Sequence, residues 1–91
     1  MRLEPPAVLF HGTVSKFLRG IRRDGLHKGG RHHVHLSPSE ETARAVGGRR
    51  EKSVLLKVLA GRMHKNGHTF LVTPNGVWLT EHVPSEFLEF S

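Results

Sequence analysis

Apolar positions along this chain fall into short runs separated by glycine, proline and basic residues. Pro5-Pro6 marks an extended lead-in, because a residue before proline avoids the helical region. Ala7 to Phe10 is apolar throughout and too short for a helix, which predicts a buried strand ending at His11-Gly12-Thr13. Phe17, Leu18 and Ile21 share one face of a helix from Lys16 to about Arg23, with Ser15 as its cap and Gly25 as its stop. Leu26 to Arg31 reads as a glycine-rich basic loop, and Val34 to Leu36 as a short strand. In Ser37-Pro38-Ser39-Glu40, serine at the N-cap, proline at the first helical position and glutamate at the third form a capping box. A second helix then carries Thr42, Ala43 and Val46 up to Gly47-Gly48. Ser53 to Leu59 is strand-like, and Ala60 to Asn66 forms one or two helical turns that Gly67 ends. Phe70-Leu71-Val72 and Val77-Trp78-Leu79 flank Thr73-Pro74-Asn75-Gly76, a hairpin signal. Ser85 to Phe90 is a short, half-apolar end. Strands outnumber helices, and two helices fall early. The expected fold is α+β, with the helices packed on a mainly antiparallel sheet.

Composition narrows this picture. A chain of 91 residues fits one small domain. It buries about two-thirds or less of its unfolded surface, so the core is modest. No run approaches the ~18 apolar residues of a membrane span. Met1-Arg2-Leu3-Glu4-Pro5-Pro6 lacks the apolar centre of a signal peptide, and cysteine is absent. Both are compatible with a cytoplasmic protein, which is the expected compartment. The formal charge of +6 favours phosphate-bearing partners, since Lys and Arg contacts release condensed counterions. Eight histidines are unusual for this length, and composition alone does not choose between metal ligands, site residues and surface positions.

Three segments could carry chemistry. At His11-Gly12-Thr13 the glycine lets a ligand approach the backbone, and the imidazole and hydroxyl can hydrogen-bond it. A strand-end turn with a surface histidine satisfies the same spacing. From Arg31 to Ser37, strand alternation puts His33, His35 and Ser37 on one face and Val34 and Leu36 on the other. Arg31 stands at the mouth of that strand, where its planar fork matches a phosphate bidentately. An amphipathic edge strand is the plain alternative. His33 and His35 are also spaced like two metal ligands, but a third ligand with suitable spacing is not evident, so no metal is expected. In the hairpin, Trp78 reads as core rather than ligand contact. Arg44, Arg49, Arg50 and Lys52 form either a solvated face or a track for a nucleic-acid backbone.

In their order these pieces resemble one family. Leu9-Phe10-His11-Gly12-Thr13, Ile21-Arg22-Arg23-Asp24-Gly25-Leu26, Gly30-Arg31-His32-His33-Val34-His35-Leu36-Ser37-Pro38, Asn75-Gly76-Val77-Trp78-Leu79-Thr80 and Val83-Pro84 are similar to the RNA 2′-phosphotransferases. The Arg-x-His-Val-His-Leu-Ser block is specific, whereas His-Gly-Thr recurs across ADP-ribosyltransferases. The resemblance implies a split ADP-ribosyltransferase-like sheet with two short helices. It implies NAD as co-substrate and 2′-phosphorylated RNA or tRNA as partner, with other nucleic-acid phosphates as a further class and no membrane. By that match Arg31 and His35 are catalytic. Arg31 binds the 2′-phosphate or the pyrophosphate it becomes joined to, and His35 flanks the nicotinamide ribose. His11 bonds the adenosine ribose, and Gly12 holds the nicotinamide amide through its backbone. Thr13, His33 and Ser37 line the NAD cleft, and Val77 takes the third position of the superfamily's strand triad. Valine there, in place of glutamate, argues against transfer to protein arginine, although Glu81 is near in sequence.

The implied reaction has two steps. The RNA 2′-phosphate displaces nicotinamide from its ribose carbon, and the neighbouring ribose hydroxyl then attacks that phosphate. RNA with a free 2′-hydroxyl and ADP-ribose 1″,2″-cyclic phosphate result. Family members are about twice as long, with an N-terminal winged-helix-like lobe that adds phosphate-binding residues. The expectation for residues 1–91 is therefore a single ADP-ribosyltransferase-like lobe without that RNA-binding lobe. Transfer to another acceptor, such as a nucleic-acid terminal phosphate, is the alternative enzyme. A non-catalytic NAD- or ADP-ribose-binding module, or a small basic RNA-binding domain, is the alternative of another class.

Overall fold

The computed structural model describes residues 4–28, 32–47 and 53–90. Every ladder among them is antiparallel, in three small sheets. β1 (Leu9–Val14) pairs with β4 (Ser53–Val58), which pairs with β8 (Leu88–Phe90). β3 (Val34–Leu36) pairs with β6 (Trp78–Thr80), which pairs with β5 (Leu71–Val72). β2 (Leu26–His27) pairs with β7 (His82–Val83). Three short helices complete the fold: α1 (Leu18–Asp24), α2 (Glu40–Gly47) and α3 (Ala60–Lys65). This is the split α+β arrangement that the apolar pattern and the resemblance imply. Arg31, Arg49, Arg50 and Lys52 lie outside the described residues.

The core draws on all three sheets. Leu9, Leu36, Leu56, Val58, Met63, Phe70 and Val83 are fully buried. Each contributes about 1.5–3 kcal/mol by leaving water. Trp78 is half-buried and packs against this cluster, as its sequence context suggests. The first and second sheets are bridged at Phe10 and Ser37. Phe10 N–H donates to the Ser37 carbonyl at 2.7 Å, and Ser37 N–H donates to the Phe10 carbonyl at 2.9 Å.

Several boundaries differ from the sequence reading, each for a physical reason. β1 does not end at Phe10. It runs through His11, Gly12 and Thr13, because β4 offers Leu56, Leu55 and Val54 as ladder partners. A 3₁₀ turn over Ser15–Phe17 precedes α1, and no side chain caps either segment. The tighter 3₁₀ winding takes Phe17 off the α-helical apolar stripe. Leu18 and Ile21 pack against the core while Phe17 remains exposed. Leu26-His27 is a strand rather than loop, since β7 supplies Val83 and His82 opposite it. The half-apolar end contains β8, whose Leu88 faces Val58 of β4.

The start of α2 shifts by two residues. An N-cap residue must offer its carbonyl to the first helical N–H. The Ser37 carbonyl is committed to Phe10, so Ser39 takes the role instead. Ser39 Oγ accepts from Thr42 N–H at 3.3 Å, and the Ser39 carbonyl accepts from Ala43 N–H at 3.1 Å. Ser37 Oγ in turn accepts from Ser39 N–H at 3.1 Å. Ser39→Ala should therefore cost about 1 kcal/mol, or roughly 4–8 °C in Tm. Calorimetry checks this, and an unchanged Tm would show that Ser39 caps nothing of consequence.

The hairpin forms as expected, though not as a two-residue Asn-Gly turn. Pro74 presets the backbone at the second turn position, and Gly76 takes the left-handed conformation with φ 84°. Gly76 N–H donates to the Thr73 carbonyl at 2.9 Å, and Thr73 N–H donates to the Val77 carbonyl at 2.9 Å. Thr73 Oγ1 accepts from Val77 N–H at 3.1 Å, which fixes how Asn75 and Val77 are presented.

Candidate ligand-binding cleft

β1, β3, the segment leading into α2 and the β5–β6 hairpin converge on a cleft of about 680 Å³. That size lies within the roughly 300–1,000 Å³ of small-molecule sites. His11, Gly12, Thr13, His33, His35, Ser37 and Val77 all line it, although they come from three separate parts of the chain. Arg31 lies outside the described residues; Lys28 and His33, on either side of it in sequence, both line the cleft.

Strand alternation accounts for the β3 side. Val34 and Leu36 are buried in the core at 4% and 1% exposure, while His35 between them is exposed. The register opposite Thr80, Leu79 and Trp78 locks that orientation, because a slip by one residue would bury the imidazole. The β1 side is set by pairing with β4. His11 and Thr13, two residues apart, share a strand face. Gly12, with no side chain, brings bare backbone to the cleft.

A hydrogen bond couples the two strands. His11 Nδ1 lies 3.1 Å from the His35 carbonyl oxygen. A carbonyl only accepts, so Nδ1 carries the proton, and in a neutral ring Nε2 is the acceptor nitrogen. The His11 ring is thereby oriented by backbone of the neighbouring strand. Ser37 and Ser39 accept bonds from the α2 cap, and each hydroxyl still carries its own O–H donor. Thr13 is buried at 7% exposure.

The structure adds cleft residues that the sequence reading did not single out: Phe17, His27, Lys28, Ser39, Thr42 and Asn75. The charge of the Leu26–Arg31 segment was a usable signal for His27 and Lys28, but nothing local marked Leu26-His27 as a strand. The His27 ring stacks on His82 with centroids 4.4 Å apart and planes 22° apart. His82 Nε2–H in turn donates to the Asp24 carbonyl at 3.2 Å, so the stack is anchored to the end of α1. Lys28 Nζ is 3.6 Å from Glu81 Oε1. Glu81 is highly exposed there and is not among the described residues lining the cleft. The Arg23 guanidinium, hydrogen-bonded to Asp24, holds that carboxyl below the usual carboxylate range. This pair also lies outside the described lining.

Among the described residues, no group of three or more His, Asp or Glu side chains is placed to hold a metal ion. None of the described helices is long and apolar enough to cross a membrane.

Fold and cleft together define the class: a small, mainly antiparallel α+β domain whose cleft is lined by histidines from two neighbouring strands. The family model "RNA 2′-phosphotransferase, Tpt1 / KptA family" matches residues 1–82. A "Probable RNA 2′-phosphotransferase" of Burkholderia lata is 58% identical over 86 residues, covering 94% of this chain and 44% of the relative. One from Streptomyces coelicolor is 56% identical over 86 residues, covering 94% and 47%. One from Pseudomonas aeruginosa is 56% identical over 84 residues, covering 92% and 46%. The chain belongs to the RNA 2′-phosphotransferase family. It spans about half the length of the curated relatives it matches.

Proposed function

We propose that this chain is the NAD-binding, catalytic lobe of an NAD-dependent RNA 2′-phosphotransferase. In this reading it moves an RNA 2′-phosphate onto the ADP-ribose of NAD and releases nicotinamide and ADP-ribose 1″,2″-cyclic phosphate. RNA carrying a 2′-phosphate, tRNA included, is the partner, and the cytoplasm is the compartment where both substrates meet. The observation that carries the reading is the convergence of His11, Gly12 and Thr13 with His33, His35 and Ser37 on one cleft, in a member of this family.

The donor set fits the ligand. Ribose hydroxyls and a carboxamide need acceptors and donors at short range, and the cleft offers imidazoles, hydroxyls and bare backbone. With Nδ1 bound to His35, His11 receives a ribose hydroxyl at Nε2. Gly12 bonds the carboxamide through its peptide groups, and His35 flanks the second ribose. Val77 closes the hairpin side, with Thr13, His33 and Ser37 lining the remainder. Arg31 neutralises the incoming phosphate. When bound, NAD supplies an electrophilic ribose carbon with nicotinamide as leaving group. The chain's own task is positioning and charge stabilisation. A phosphate monoester has a second pKa of about 6, so it is already anionic at neutral pH. No strong base is then needed, in keeping with a described lining of histidines and hydroxyls without a carboxylate.

Titrating NAD into the chain while following its NMR spectrum tests this reading. Shifts should concentrate at His11, Thr13 and His35. A titration to millimolar NAD that moves none of the three would sink it.

A further inference from the structure

We propose that Phe17 is a stacking platform for a nucleobase at the cleft; this rests on the reading above and extends it to a part of the ligand that the histidines do not serve. Phe17 is 55% exposed and is the large apolar side chain left in solvent among the described residues. It also lines the cleft. Its exposure is not needed for folding, because Leu18 and Ile21 already pack α1 against the core. The ring is held in a 3₁₀ turn that follows directly from β1, so its position is tied to the strand bearing His11 and Thr13.

The other rings at the cleft are less suited to this task. Phe10 is half-buried within β1. His27 is already stacked ring on ring with His82, in a pair anchored to the end of α1. Phe17 has Lys16 Nζ 5.4 Å from its centroid, a cation over one face that suits a ligand carrying phosphates beside its base. Every nucleobase presents a π-face, and stacking on an aromatic side chain tolerates any base. The base has two possible sources in this reaction, the adenine of NAD or a base of the RNA beside its 2′-phosphate, and the two can be separated.

The experiment measures affinity of wild type, Phe17→Ala, Phe17→Leu and Phe17→Trp for four probes. These are NAD, nicotinamide mononucleotide, a 2′-phosphorylated oligonucleotide and its abasic counterpart. Phe17→Ala and Phe17→Leu should each weaken one base-bearing probe about tenfold, and Phe17→Trp should retain it. A loss for NAD with none for nicotinamide mononucleotide assigns the platform to adenine. A loss for the oligonucleotide with none for its abasic counterpart assigns it to RNA. If NAD binds wild type and all affinities stay within twofold in Phe17→Ala, the platform is overturned while the NAD reading stands. If wild type binds no NAD, that reading falls, and AMP decides the platform alone. AMP binding weakened by Phe17→Ala supports it; AMP binding that is unchanged or absent overturns it.

Discussion

Gly25→Ala should cost about 3 kcal/mol or more. Gly25 has φ 79° and ψ −167°, a region that only glycine enters readily. Space is the second obstacle. A Cβ there would land on the Val83 carbonyl oxygen, with Ser85 N at 3.0 Å and Pro84 Cα at 3.1 Å. These are backbone atoms, so no rotamer change relieves the clash. The position also joins two parts of the fold. Gly25 N–H donates to the Ile21 carbonyl at 2.8 Å to end α1, and the next residue begins β2. A domain of this size has only about 5–15 kcal/mol in total. The expected fall in Tm is therefore more than about 12 °C, read by calorimetry or circular dichroism. A Tm within a few degrees of wild type would mean that β2 and β7 separate at little cost. In that case the His27–His82 stack could not be a fixed feature of the cleft.

Arg31→Ala should reduce transfer of an RNA 2′-phosphate to NAD by about a hundredfold or more, measured in a chain of the curated relatives' full length. The basis is the resemblance, together with the chemistry of the group. A phosphate dianion entering the cleft is stabilised by a fixed positive charge, and an arginine fork bonds two of its oxygens at once. Arg31→Lys should recover little, because an ammonium supplies charge without the fork. NAD affinity should change far less than turnover if Arg31 acts on the phosphate that arrives with RNA. Thermal unfolding of the variant should match wild type. Wild-type turnover by Arg31→Ala would remove the residue from the mechanism, while equal losses in NAD affinity and turnover would move its contact to the NAD pyrophosphate.

Local pattern made much of this fold legible. Val34-His35-Leu36 alternates in and out as written, and Ser53 to Val58 and the Thr73–Gly76 hairpin stand where apolar runs and turn residues put them. Distant partners set the remainder. Leu26-His27 carries no strand signal of its own and becomes one because Val83 and His82 lie opposite. Ser37 has the spacing of a cap but loses that role to Ser39, since a bond to Phe10, far away in sequence, already occupies its carbonyl. The cleft divides in the same way. His11, His33, His35 and Ser37 could be proposed from motif and alternation. Phe17 could not, because a 3₁₀ turn directs it there, and for His27 only the basic character of its segment gave a signal, since its strand forms through distant partners.

The Phe10–Ser37 bridge has a consequence for how such a cleft can diversify. Its two hydrogen bonds are made by peptide groups, so the walls are fastened by atoms that every amino acid except proline possesses. Residues lining the cleft, such as His33, Asn75 or Val77, can be exchanged without loosening that clasp. Stability and selectivity are thus largely separable traits at this point in the molecule. A lineage could alter what the cleft accepts, one side chain at a time, while the two histidine-bearing strands keep their spacing.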